Sequence, residues 1–81
     1  MNEQEVRDNL RRFITVDLIR DRGYKLQDDE GIITGGLMDS FSLAELSVYI
    51  ESEFDVYIPD PELTVEQMDT LDLIVSRVLK G

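Results

Sequence analysis

Apolar residues recur along residues 3–20 at spacings of three and four, with Val6, Leu10, Phe13, Ile14 and Ile19 near one face and charged residues between them. That period predicts an amphipathic helix, because positions three and four apart stack on one side of a 3.6-residue turn. Asn2, with Glu5 three residues later, suits its N-terminal cap. The pattern then breaks. Gly23, Gly31, Gly35 and Gly36 punctuate residues 21–39 and predict a long loop. Tyr24, Leu26, Ile32, Ile33 and Leu37 give that loop apolar anchors, so it is expected to pack onto the rest of the chain.

A second helix is predicted over residues 40–54, with Leu43, Leu46, Ile50 and Phe54 turned to the core and Glu45, Glu51 and Ser52 turned outward. Val56-Tyr57-Ile58-Pro59 is too short for a helix, and Pro59 disfavours helical geometry in Ile58, so it reads as an extended crossing segment. A short helical turn is expected over residues 61–66, where Pro61 suits a first turn. The last helix, residues 70–79, buries Leu71, Ile74, Val75 and Val78; Asp69 or Thr70 caps it, and Arg77 and Lys80 suit its C-terminal dipole. No stretch alternates as a strand, and no repeat or linker is visible. The expected fold is all-α, a four-helix bundle of three longer helices and one short, with a long first loop, as one domain over residues 1–81.

Composition narrows the chemistry. The chain has neither Cys nor His, which removes thiolate nucleophiles, imidazole acid–base pairs, zinc sites and disulfides. Its apolar runs are far shorter than the roughly 20 residues that span a bilayer, and its first residues lack the basic start and apolar block of a signal peptide. A cytoplasmic protein with no membrane partner is expected. The net charge is −10, and its layout is uneven: Arg7, Arg11, Arg12, Arg20, Arg22 and Lys25 precede residue 26, Arg77 and Lys80 follow residue 76, and every residue between is neutral or acidic. A cation-free acidic segment repels nucleic acid and steers basic partners, although acidic surfaces also serve solubility alone. Arg7, Arg11 and Arg12 stand beside Glu3, Glu5 and Asp8, and pairs such as Asp8 with Arg12 account for them without a nucleic-acid site. Asp28-Asp29-Glu30-Gly31 lacks the alternating ligands and closing Glu of an EF-hand, so no metal site is assigned.

Asp39-Ser40 opens the second helix. On its own the pair is a helix cap. The same place exposes a hydroxyl to the unpaired N–H groups and positive dipole of a helix N-terminus, which support an attached phosphate. As a nucleophile Ser40 lacks a base at any recognised spacing and stands outside a Gly-x-Ser-x-Gly elbow, so it reads as an acceptor for a group added by another enzyme.

Beyond these residues the chain resembles the acyl and peptidyl carrier proteins. Gly36-Leu37-Met38-Asp39-Ser40-Phe41-Ser42-Leu43-Ala44-Glu45-Leu46, followed by Glu53-Phe54-Asp55 and Ile58-Pro59-Asp60, is similar to that family's modification motif, second helix and crossing segment, in order. Residues 63–71 are similar to the lead-in to its fourth helix. The resemblance implies that Ser40 receives 4′-phosphopantetheine from coenzyme A through a phosphopantetheinyl transferase. The distal thiol of that arm would hold an acyl or aminoacyl cargo as a thioester, which accounts for a chain with no cysteine of its own. It further implies that Asp39 helps the transferase handle metal and phosphate. Phe41, Glu45, Val48 and Glu51 would meet partner enzymes, both loading and processing, that bear basic docking surfaces. For Phe41 and Val48 the other reading is core packing; for Glu45 and Glu51 it is solvation.

The details point within the family. Gly36 stands four before Ser40, Phe41 replaces the usual Leu and Ser42 the usual acid, which looks more like discrete carriers of polyketide, amino-acid or D-alanyl pathways than fatty-acid carriers. The expectation is therefore a monomeric carrier and not an enzyme. The rival is an unmodified acidic adaptor that uses the same helix only to bind basic proteins.

Overall fold

The computed structural model describes residues 2–81. The first helix, α1 (Glu3–Phe13), starts where the Asn2 side chain accepts the Glu5 N–H at 2.8 Å. Val6, Leu10 and Ile14 are wholly buried, as the period requires. The helix then changes pitch. Residues Ile14–Leu18 form a π-helical turn closed by the Ile19 N–H to the Ile14 carbonyl at 2.7 Å. Two causes meet here: β-branched Ile14, Thr15 and Val16 crowd a regular turn, and the Thr15 hydroxyl donates to the Arg11 carbonyl at 2.9 Å, competing for its lone pairs. Arg20, at φ 63°, ends the run in the left-handed region. The predicted helix over residues 3–20 is thus an α-helix only to Phe13.

The long loop packs, as its apolar anchors predict. Leu26, Ile32 and Met38 are buried within it. Arg7 ties it to the helices: the guanidinium reaches Asp72 at 2.6 Å, Glu3 at 2.9 Å and Asp28 at 3.3 Å, and Arg11 joins it on Asp28. These carboxylates, with Asp72 foremost, hold the Arg7 side chain firmly protonated. Arg12 turns to Asn9, at 3.0 Å, and not to Asp8, which takes a bond from Gln4 instead; the expected Asp8–Arg12 pair is absent and Glu3–Arg7 is the pair at that spacing.

The second helix, α2 (Ser40–Phe54), has the predicted bounds and ends on Asp55 in the left-handed conformation at φ 58°. Leu43, Leu46, Ile50 and Phe54 are buried. Val56 and Ile58 follow into the core with Tyr57 exposed between them, the alternation of an extended segment. One short helix over residues 61–66 is not what forms. A 3-10 turn occupies Asp60–Glu62, and α3 (Val65–Met68) is separate, because the backbone leaves helical space at Leu63 and Thr64, at φ −83°, ψ 68° and φ −127°, ψ 167°. Glu62 is drawn instead to Arg77, at 2.7 Å. The last helix, α4 (Leu71–Lys80), packs on α1 and on α3. Thr70 caps it through the Leu73 N–H at 3.1 Å, which settles the choice between Asp69 and Thr70.

The core is one cluster in which Val6, Leu10 and Ile14 of the first helix meet Leu46 and Ile50 of the second and Leu71, Ile74 and Val78 of the last. Among the described residues there is no strand, and no helix is long and apolar enough to cross a membrane. The all-α expectation holds.

Candidate functional site

Met38 fixes the start of the site. Its side chain is buried, so the chain is pinned two residues before Ser40, while Asp39 and Ser40 face solvent. Gly36 lies two residues before Met38 at φ 80°, in the left-handed region that L side chains rarely adopt. The turn it makes is closed by the N–H groups of Leu37 and Met38, which both donate to the Ile32 carbonyl, at 2.9 and 3.2 Å.

Asp39 is the cap the sequence predicts. It is extended, at φ −119° and ψ −173°; its carboxylate accepts the Ser42 N–H at 2.9 Å, and its carbonyl accepts the Leu43 N–H at 2.9 Å. The Ser42 N–H, helped by the Ser42 side chain, holds the Asp39 carboxyl below the usual carboxylate range, so it carries full charge beside Ser40 at neutral pH. Ser40 is the first residue of α2, with its side chain exposed. A hydroxyl there is open to a partner protein and adjoins N–H groups that no preceding turn can use.

Phe41 and Val48, for which core packing was the alternative, point away from the core with relative exposures of 73% and 67%. Large apolar side chains this exposed on one helix face form the kind of patch a partner covers. They line a shallow groove with Ala44, Glu45 and Tyr49, whose far wall is Phe13 of α1. The structure therefore brings together Phe41, Glu45 and Val48. Glu51 does not join them. At 100° per residue it falls on the flank of α2 that carries Ser40, about 16 Å further along the axis.

Sequence reasoning did not find the wall of this groove. Tyr49 stacks on Phe13 with ring centroids 4.0 Å apart and planes at 10°, and meets Phe54 edge-on at 6.0 Å. The one available signal was the spacing of Tyr49 four residues after Glu45 and one after Val48. Beyond Tyr49 a second cleft adjoins the first, with Arg12, Arg22, Asp17 and Glu53 around it.

Electrostatics sharpen along α2. The chain ends fold back on part of the acidic segment, and Asp28, Asp72 and Glu62 each gain an arginine. Among the described residues, none of Glu45, Glu51 and Glu53 lies in an ion pair. The acids of α2 are therefore left to act outward, as are Asp29, Asp55, Asp60 and Glu66. In the former calcium-like stretch, Asp28 is taken by Arg7 and Arg11, and Glu30 accepts the Tyr24 hydroxyl and the Gln27 N–H.

No protein-family model matches the chain. It is 35% identical over 66 residues to a D-alanyl carrier protein of Lactobacillus acidophilus, covering 78% of this chain and 84% of that protein. It is also 32% identical over 76 residues to a D-alanyl carrier protein of Bacillus subtilis, covering 94% of this chain and 91% of that protein. A D-alanyl carrier protein of Streptococcus suis is 35% identical over 52 residues, 64% of this chain and 66% of its own.

Proposed function

Because the chain belongs to the D-alanyl carrier protein family, we propose that it carries a D-alanyl group as a thioester on 4′-phosphopantetheine attached to Ser40, and presents it to partner enzymes in the cytoplasm. The observation that carries this reading is the placement of Ser40: an exposed hydroxyl on the first residue of α2, beside an ionised Asp39 and behind a buried Met38. Attached phosphopantetheine supplies a thiol, which this chain lacks.

The chain's own residues bind and present. In the attachment step a transferase would remove the Ser40 proton, the hydroxyl oxygen would bond to the phosphorus that bears the pantetheine of coenzyme A, and the bond from that phosphorus to the bridging oxygen of the diphosphate would break, releasing adenosine 3′,5′-bisphosphate. Asp39 contributes charge where the transferase holds metal and phosphate, and keeps the first turn of α2 closed through Ser42. Ser40 would hold the phosphodiester at the positive end of a helix of 15 residues, which would favour its anionic form. Phe41 and Val48 offer apolar contact, and Glu45 and Glu51 steer the domain onto the basic surfaces of loading and processing enzymes. In this reading the protein makes and breaks no bond by itself.

Intact-mass measurement tests it. Incubated with coenzyme A and a broad phosphopantetheinyl transferase, the wild type should gain one phosphopantetheine and Ser40→Ala none. An unchanged wild-type mass would support the acidic adaptor instead. A gain that survives in Ser40→Ala would move the site elsewhere.

A further inference from the structure

The approach to Ser40 is held by one residue far from it in sequence. Asp69 stands between α3 and α4 and leaves the capping of α4 to Thr70. Its carboxylate instead accepts the N–H of Ile33 at 2.8 Å, the N–H of Thr34 at 3.0 Å and the Thr34 hydroxyl at 3.0 Å. Its main-chain carbonyl accepts the Ile32 N–H at 2.6 Å. Three consecutive residues of the long loop are thus bound to a single residue more than thirty positions away in the chain. These bonds, the Thr34 N–H foremost, keep the Asp69 carboxyl below its ordinary range, so the acceptor is charged and the bonds are of the stronger, charge-assisted kind.

From this anchor the connection to the site is continuous. The carbonyl of Ile32, whose N–H Asp69 holds, accepts the N–H groups of Leu37 and Met38. Met38 is buried, Asp39 caps α2 and Ser40 follows. Space is tight at the anchor: at Gly31 a Cβ would collide with the Thr34 hydroxyl and crowd the Asp69 carboxylate. Ile32 itself is fully buried, so the turn cannot shift as a body without opening the core.

We propose that Asp69 is a positioning residue for Ser40: by clamping residues 32–34 it fixes where the chain enters α2, and so holds the Ser40 hydroxyl in the geometry that the transferase requires. This rests on the reading of Ser40 as the modified residue. It adds a residue, distant in sequence, that makes no bond to the Ser40 hydroxyl yet governs the rate of attachment. A plain structural role for Asp69 would lower stability without selecting the attachment step.

The test compares Asp69→Ala, Asp69→Asn and Thr34→Val with a control, Val78→Ala, which removes core contact at the far end of α4. For each, the rate of Ser40 modification by the transferase is measured well below the thermal midpoint, and backbone amide exchange is followed at Leu37 and Met38. Asp69→Ala should lower kcat/KM for modification about tenfold, as expected for a misplaced reacting group. It should also speed exchange at both amides. Asp69→Asn keeps one oxygen acceptor and Thr34→Val loses only the hydroxyl bond, so both should fall between Asp69→Ala and wild type. Val78→Ala should leave rate and exchange at those amides unchanged even with a comparable loss of thermal midpoint. Equal rates for Asp69→Ala and wild type, or equal losses for Asp69→Ala and Val78→Ala, would overturn the proposal. If the wild type itself is not modified, the reading of Ser40 fails, whereas exchange at Leu37 and Met38 still decides the clamp: unchanged protection in Asp69→Ala overturns it.

Discussion

Asp39 accepts the backbone N–H of Ser42 at 2.9 Å, and this bond closes the helix turn on which Ser40 sits. One side chain therefore serves both the start of α2 and the charge beside the hydroxyl. The two roles can be separated. Asn is as good a cap as Asp, whereas Ala is not. Asp39→Asn should lower the thermal midpoint only slightly, by the charge-assisted part of the bond, and slow modification of Ser40. Asp39→Ala should slow modification as much and also lower the midpoint by about 5 °C. Thermal melts beside transferase kinetics give both readouts, and wild-type kinetics in Asp39→Asn would remove the charge from the account.

Acid should weaken the fold through three carboxylates. Asp39, Asp69 and Glu30 all have lowered pKa values, set foremost by the Ser42 N–H, the Thr34 N–H and the Tyr24 hydroxyl respectively. A depressed folded-state pKa contributes stability that is present above the unfolded value, near pH 4, and is lost as pH falls through the folded value. The thermal midpoint should thus hold from pH 7 to about pH 5 and drop below about pH 4. Asp69→Asn should start lower and lose less on acidification. A midpoint flat down to pH 2 would show that these bonds contribute nothing net.

Much of this was legible because local and tertiary demands agree. Along residues 40–54 the period, the Asp39 cap and the burial of Leu43, Leu46, Ile50 and Phe54 all point the same way, and the helix has the predicted bounds. Where side-chain bonds decide, periodicity failed. Glu62 turns toward Arg77, and the short helix breaks in two. Thr15 competes for a main-chain carbonyl, and α1 widens into a π-turn. The role of Asp69 was invisible for the same reason: beside Thr70 it looks like a cap, and only the folded chain brings Thr34 to it. At the site, Ser40, Asp39 and the outward acids follow from order in the sequence, but the Phe13 wall of the groove needs two helices.

Gly36 should resist substitution. Its φ of 80° places an L side chain in the left-handed region, where the penalty is about 1–2 kcal/mol. Nothing lies within 4 Å of a Cβ built there, so the strain is one of backbone only. Gly36→Ala should therefore destabilise by about 1 kcal/mol in urea titration, and Gly36→Asn by less, since Asn tolerates this conformation. Equal losses for Ala and Asn would place the cause in side-chain contact instead.

Leu46 and Val48 are two residues apart on α2 and should behave oppositely. Leu46 is fully buried and Val48 is 67% exposed. Leu46→Ala should cost about 2–5 kcal/mol, a large share of the ~4–12 kcal/mol expected for a chain of this size. Val48→Ala should stay within about 0.5 kcal/mol of wild type. Its effect should appear instead as a raised KM of the loading enzyme for the carrier. Denaturant titration and loading kinetics on the two variants together test whether the outer face of α2 is a contact surface.

Charge on that face should act mainly on encounter. Glu45 borders the groove, Glu51 lies on the Ser40 flank, and neither is in an ion pair among the described residues. Exposed charges act over about 10 Å at 0.1 M salt and about 3 Å at 1 M. The KM of a loading enzyme for the carrier should therefore rise with ionic strength while kcat stays level, because steering speeds association more than it strengthens the bound contact. Glu45→Gln and Glu51→Gln should each raise KM and flatten its salt dependence. Glu45→Lys and Glu51→Lys should raise it further, since they repel a basic partner. Phe41→Ala should raise KM with the wild-type salt slope, because it removes apolar contact and no charge. A KM that ignores salt in the wild type would reject steering and leave the apolar groove to account for docking alone.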